Sequence, residues 1–64
     1  GLLSRRELDI LQLLAKGLAF AAIGEVLAIS EHTVTTHVKK LYKKLNVHSR
    51  GEAVYEAREL NLIR

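Results

Sequence analysis

Four stretches of the chain carry apolar residues at helical spacing, and short breaks holding serine, glycine or asparagine separate them. In the first stretch Ile10, Leu11, Leu14 and Ala15 share one face of a helix with about 3.6 residues per turn. Ser4-Arg5-Arg6-Glu7 in front of them is an S-x-x-E capping box, whose two side chains satisfy the first free backbone N–H groups. Gly17 suits a left-handed cap behind them. This pattern predicts a helix over 5–16, with Leu13 off its apolar stripe. A second helix is expected over 20–28, with Ile23 and Leu27 inward; its start is weakly marked because Ala19 has no capping oxygen. Gly24 inside it costs up to about 1 kcal/mol against alanine, which points to close approach of the following helix.

The third stretch is the clearest. Val34, Val38, Leu41 and Leu45 recur at i, i+4, i+7 and i+11; Ser30 caps the start, and Glu31 suits the positive end of the helix dipole. Lys43 and Lys44 suit the negative end and Asn46 can close the helix, which gives a span of 31–45. A second S-x-x-E box, Ser49-Arg50-Gly51-Glu52, opens a fourth helix over 50–60, with Ala53, Ala57 and Leu60 inward and Val54, Tyr55 and Arg58 outside. Only Ala28, Ile29 and Ser30 separate the second and third helices, so the two cross steeply, as in a helix-turn-helix. The expected fold is all-α, a four-helix bundle containing a helix-turn-helix.

Composition narrows this picture. The chain has 64 residues, 48% of them apolar, and no proline, tryptophan or cysteine. That is one small globular domain without a disulfide framework or thiolate metal site, in keeping with a reducing, cytoplasmic setting. No apolar run approaches the roughly 18 residues that span a bilayer, so no membrane partner is expected. The chain starts at Gly1 and lacks methionine, and it reads as the C-terminal part of a longer protein.

Charge adds a direction. The net charge is +3, and between His32 and Arg50 there are five Lys or Arg residues and no Asp or Glu. Thr36, Lys39 and Lys43 project opposite the apolar stripe of the third helix, with Thr35 and Lys40 on the shoulders. A helix that buries one face and offers short donors and ammonium groups on the other suits the DNA major groove. A solvated basic face, or one that meets an acidic protein, is the plainer alternative.

The order of these signals resembles the LuxR/FixJ-type (GerE-like) helix-turn-helix domain of bacterial transcription regulators. The matching residues are Leu3-Ser4-x-Arg6-Glu7, Ile10-Leu11-x-Leu13-Leu14-Ala15-x-Gly17, Ile23 and Leu27. They continue as Ile29-Ser30-Glu31-x-Thr33-Val34-x-Thr36-His37-Val38 and Leu45-x-Val47-x-Ser49-Arg50-x-Glu52-Ala53-Val54, which covers nearly the whole of 1–64. The resemblance implies sequence-specific binding of double-stranded DNA by a transcription regulator, with the third helix in the major groove. Thr35, Thr36 and Lys39 would then face base edges, and Thr33, Lys40 and Lys43 would lie near phosphates. Lys44 and Arg50, in the same basic segment, are further candidates for phosphate contact. It also implies homodimerisation on DNA through the fourth helix, at Val54, Tyr55 and Arg58. An N-terminal receiver or ligand-binding domain is implied upstream, in a response regulator or ligand-sensing regulator, with RNA polymerase as a further partner. One departure stands out. Ala19-Phe20-Ala21-Ala22 lacks the hydroxyl cap and polar side chains usual in the family. Leu18, Phe20 and Ala21 therefore either form an exposed apolar patch or fold back onto the first helix.

Other chemistry finds little support. His32 and His37 are five residues apart, about 140° around a helix, and a zinc site needs three or four converging ligands. His37 reads as a half-buried packing residue. No catalytic Ser/His/Asp set, phosphate loop or carboxylate pair is evident, so no enzyme and no cofactor is expected. The alternatives are a promoter-reading domain of an RNA polymerase sigma subunit, which shares the L-S-x-R-E opening, and a protein-interaction helical bundle. The S-R-x-E-A start of the fourth helix argues against the sigma domain.

Overall fold

The computed structural model describes residues 1–64 as four α-helices: α1 (Arg5–Ala15), α2 (Phe20–Leu27), α3 (Glu31–Leu45) and α4 (Arg50–Glu59). The starts follow from the caps. Ser4 and Glu7 close both halves of the capping box on α1, and Ser30 and Ser49 accept from Thr33 N–H and Glu52 N–H. α2 begins at Ala19 without any side-chain cap.

All four helices end the same way. The chain turns left-handed at Gly17, Ala28, Asn46 and Asn61, and the next N–H reaches back to a carbonyl five residues earlier. Glycine and asparagine tolerate that conformation. Ala28 (φ 58°, ψ 42°) does not, and it marks the one strained cap. It also corrects the expected bounds, because α2 stops at Leu27 with Ala28 outside it, and α1 and α4 likewise stop one residue short, at Ala15 and Glu59.

α3 packs against each of the other three helices and forms the middle of the core. Ile10, Leu11 and Leu14 of α1, Ile23 of α2, Val34, Val38, Leu41 and Leu45 of α3, and Ala53 and Ala57 of α4 are buried together with Leu3 and Val47. Leu13, Leu18, Phe20 and Leu27 pack against this cluster half-buried, so the Leu18–Ala21 stretch is not an open apolar patch. Two positions on α4 depart from expectation. Leu60 is 48% exposed, because the left-handed turn at Asn61 swings it out and brings Leu62 and Ile63 back onto the core. Val54 is half-buried, not outside.

Gly24 marks a close approach, though chiefly to the turn. A Cβ there would lie 2.7 Å from the Ile29 carbonyl oxygen and 3.5 Å from Glu31 N. The missing side chain lets the turn fold tightly over α2, which sets how α3 leaves it. That angle decides where the outer face of α3 points.

Candidate nucleic-acid interface

The outer face of α3 is built by its inner one. With Val34 and Leu41 fully buried and Val38 and Leu45 nearly so, the residues half a turn away must face solvent, and Thr36, Lys39, Lys40 and Lys43 are exposed. Thr35 is half-buried on the shoulder. None of these lysines has an ion-pair partner in the chain, since the ion pairs are Arg5–Asp9 and Lys44–Glu7. Three free ammonium groups on one helix face form a cationic surface in search of an anion.

The threonine hydroxyls are partly committed. Thr35 Oγ1 donates to the Glu31 carbonyl at 3.1 Å, and Thr36 Oγ1 donates to the His32 carbonyl at 3.2 Å. These bonds hold the side chains in one rotamer. Each keeps a lone pair and a methyl group for an outside partner. Thr33 is tied into the cap, with its N–H on Ser30 Oγ at 3.0 Å and the two hydroxyl oxygens 2.8 Å apart.

Two cations of the same segment have partners within the domain. Lys44 Nζ donates to Glu7 Oε1 at 2.8 Å, pinning the start of α1 to the end of α3. The Glu7 side chain is only 4% exposed and also accepts Ser4 N–H at 2.7 Å. Burial works against its charge, yet the hydrogen bonds from Lys44 and Ser4 prevail and hold the carboxyl below the usual glutamate value. Sequence spacing missed this pair because its members are 37 residues apart. Arg50 donates from Nη1 to the Leu14 carbonyl at 3.1 Å, and its guanidinium lies 5.9 Å from the centre of the Phe20 ring. Phe20 therefore folds back and supports Arg50, so α2 opens without a polar contact of its own.

At the far end of α3, Lys39, Tyr42, Lys43, Asn46, Val47 and His48 line an open notch of about 350 Å³. Burial pushes the Tyr42 hydroxyl above the usual phenol value, against the Arg50 charge, so it stays a neutral O–H donor. Tyr42 and His48 are the residues of this notch that periodicity did not single out. No group of three metal-binding side chains converges anywhere, and no helix is long and apolar enough to cross a membrane.

Comparison with known proteins agrees with this geometry. Residues 1–57 match the GerE family, described as "Bacterial regulatory proteins, luxR family". The chain is 46% identical over 56 residues to the transcriptional regulatory protein DegU of Brevibacillus brevis, covering 88% of this chain and 24% of that protein. It is 53% identical over 51 residues to the nitrate/nitrite response regulator protein NarP of Escherichia coli, covering 80% and 24%. The chain thus spans about a quarter of the length of these curated relatives. Among solved structures, the transcription factor GerE superposes with a TM-score of 0.94 at 36% identity, covering 100% of this chain and 96% of that one. The response regulator ChrA of a heme-sensing two-component system superposes with a TM-score of 0.93 at 46% identity, covering 95% and 30%.

Proposed function

Since this chain belongs to the luxR family of bacterial regulatory proteins, we propose that it is the DNA-binding module of a transcription regulator, with α3 in the major groove. The observation that carries the reading is the outer face of α3, where Thr36, Lys39, Lys40 and Lys43 stand exposed and unpaired opposite a buried apolar stripe. Thr35, Thr36 and Lys39 read base edges. Threonine methyls suit a thymine methyl, and Lys39 suits guanine N7 and O6. Lys40 and Lys43 hold phosphates, with Thr33 beside them at the helix start. Lys44 and Arg50 leave this set, because each already has a partner inside the domain.

The wider protein follows the same reading. The relatives DegU and NarP are about four times as long as the stretch they share with this chain, which supports a sensory module joined to it. NarP and ChrA are response regulators, so that module is best read as a receiver domain. Tyr55 at 65% exposed, with Arg58 and part of Val54, offers α4 as the homodimer face on DNA. On this reading RNA polymerase is a further partner, and the work belongs in the cytoplasm.

The test begins by selecting bound duplexes from a random pool. Lys39→Ala and Lys43→Ala are then compared on point-mutated versions of the preferred site. Lys39→Ala should cost on the order of 1–3 kcal/mol and relax the choice of base at one position. Lys43→Ala should weaken every sequence nearly equally and reduce the salt slope by about 1. A common loss on all sequences for Lys39→Ala would make that residue a phosphate clamp.

A further inference from the structure

The cationic face of α3 does not stop at the lysines. His32 stands in the first turn and is exposed. With about 100° per residue, His32, Thr36, Lys39 and Lys43 fall within roughly 60° of one another, one line along the helix. The line ends at the notch that Lys39 and Lys43 share with the exposed His48. An imidazole therefore lies at each end of the face assigned to DNA. α3 has 15 residues, so it is about 22 Å long, while the major groove is about 12 Å wide. A helix of that length set across the groove would bring its ends towards the phosphate walls. His37 is different: it lies beside the apolar stripe, half-buried.

We propose that His32 and His48 are further DNA-contacting residues, each taking up a proton on the duplex, so that affinity rises as pH falls. This rests on the DNA-binding reading above. His32 has Glu31 and Lys39 on its own helix, and α2, packed against α3, carries Glu25 as its one ionisable group. His48 has Lys39, Lys43 and the neutral Tyr42 around its notch, with Arg50 and Glu52 on α4. Arg50 is held on Leu14 and Phe20, Glu52 accepts the His48 backbone N–H at 3.0 Å, and Glu7 of α1 is taken by Lys44. A phosphate brought against either imidazole favours its cationic form, and an imidazole changes charge in the range where regulators work. Each proton bound becomes one more cation on the backbone.

The test measures binding of the 64-residue chain to a labelled random-sequence duplex at fixed ionic strength between about pH 6 and pH 8. The variants are His32→Gln, His48→Gln and the pair together, all at exposed positions, with helicity checked by circular dichroism. Wild type should lose roughly tenfold or more in affinity across that range. Each single variant should lose part of the pH dependence and the double variant nearly all of it. The salt slope of wild type should steepen towards low pH by up to about 0.9 for each histidine, and that of the double variant should not. Affinity independent of pH in wild type, or a pH dependence that survives in the double variant, would overturn the proposal and leave DNA binding intact. No binding at either pH would overturn the DNA reading itself.

Discussion

Individual residues in this domain divide between holding it together and serving its surface, and neighbours in sequence can differ. Lys43 is free and exposed, while Lys44 is bound to a buried glutamate. Lys44→Ala should cost about 1–3 kcal/mol of stability at neutral pH, because it leaves the Glu7 carboxylate buried without its cation. Glu7 in wild type is held below the usual glutamate value, so its contribution is present above that value and is lost as pH falls through the folded one. In the variant, burial acts with less opposition and raises the carboxyl. Urea unfolding should thus show the two proteins far apart at pH 7 and converging below about pH 4. Equal stability at pH 7 would rule out the pair as a structural clasp. Ala28 gives a second prediction. A left-handed alanine costs about 1–2 kcal/mol, and glycine gives back about 0.5–1 through its freer unfolded chain. Ala28→Gly should raise stability by a net of about 0.5–1 kcal/mol, seen as a higher urea midpoint at unchanged slope. No gain would mean that the turn itself bears little strain.

At the scale of elements, sequence reasoning did best where local chemistry decides. The capping box at Ser4, the serine caps at Ser30 and Ser49 and the closing Asn46 are all read within four residues of the helix they bound, and α3 spans 31–45 as expected. At Ser49 the other half of the expected box differs, because Glu52 accepts the His48 N–H. It did worst where the deciding contact is distant or the local signal is atypical. No residue near Lys44 announces Glu7, no residue near Arg50 announces Phe20, and an alanine at 28 gives no hint of a left-handed turn. Leu60 was misplaced for a related reason. Helical spacing continues past Glu59, but the chain leaves the helix there, and Leu62 and Ile63 fill the space instead. On the outer face of α4, Arg58 donates to the Arg64 carbonyl and Val54 is half-buried, which leaves Tyr55 as the exposed aromatic of that helix. Its buried side is two alanines, whereas Tyr55 is largely in solvent. If α4 pairs on DNA, Tyr55→Glu should abolish cooperative binding to a two-half-site duplex while leaving single-site affinity nearly unchanged. Equal cooperativity in both proteins would remove α4 from the interface.

For the whole molecule, the cations of the basic segment divide between two tasks, and that division has a measurable total. Lys39, Lys40 and Lys43 face outward, and Lys44 and Arg50 are spent inside. All five acting on phosphates would give a slope of log K against log salt steeper than about −4 per domain, at about −0.9 for each phosphate neutralised. The two assigned to phosphates, Lys40 and Lys43, give about −2. The measurement is the salt dependence of duplex binding by the 64-residue chain near pH 8. Binding at low salt should weaken with a slope of about −2 per bound domain. A slope near zero, a slope steeper than about −4, or no binding at low salt would contradict this division.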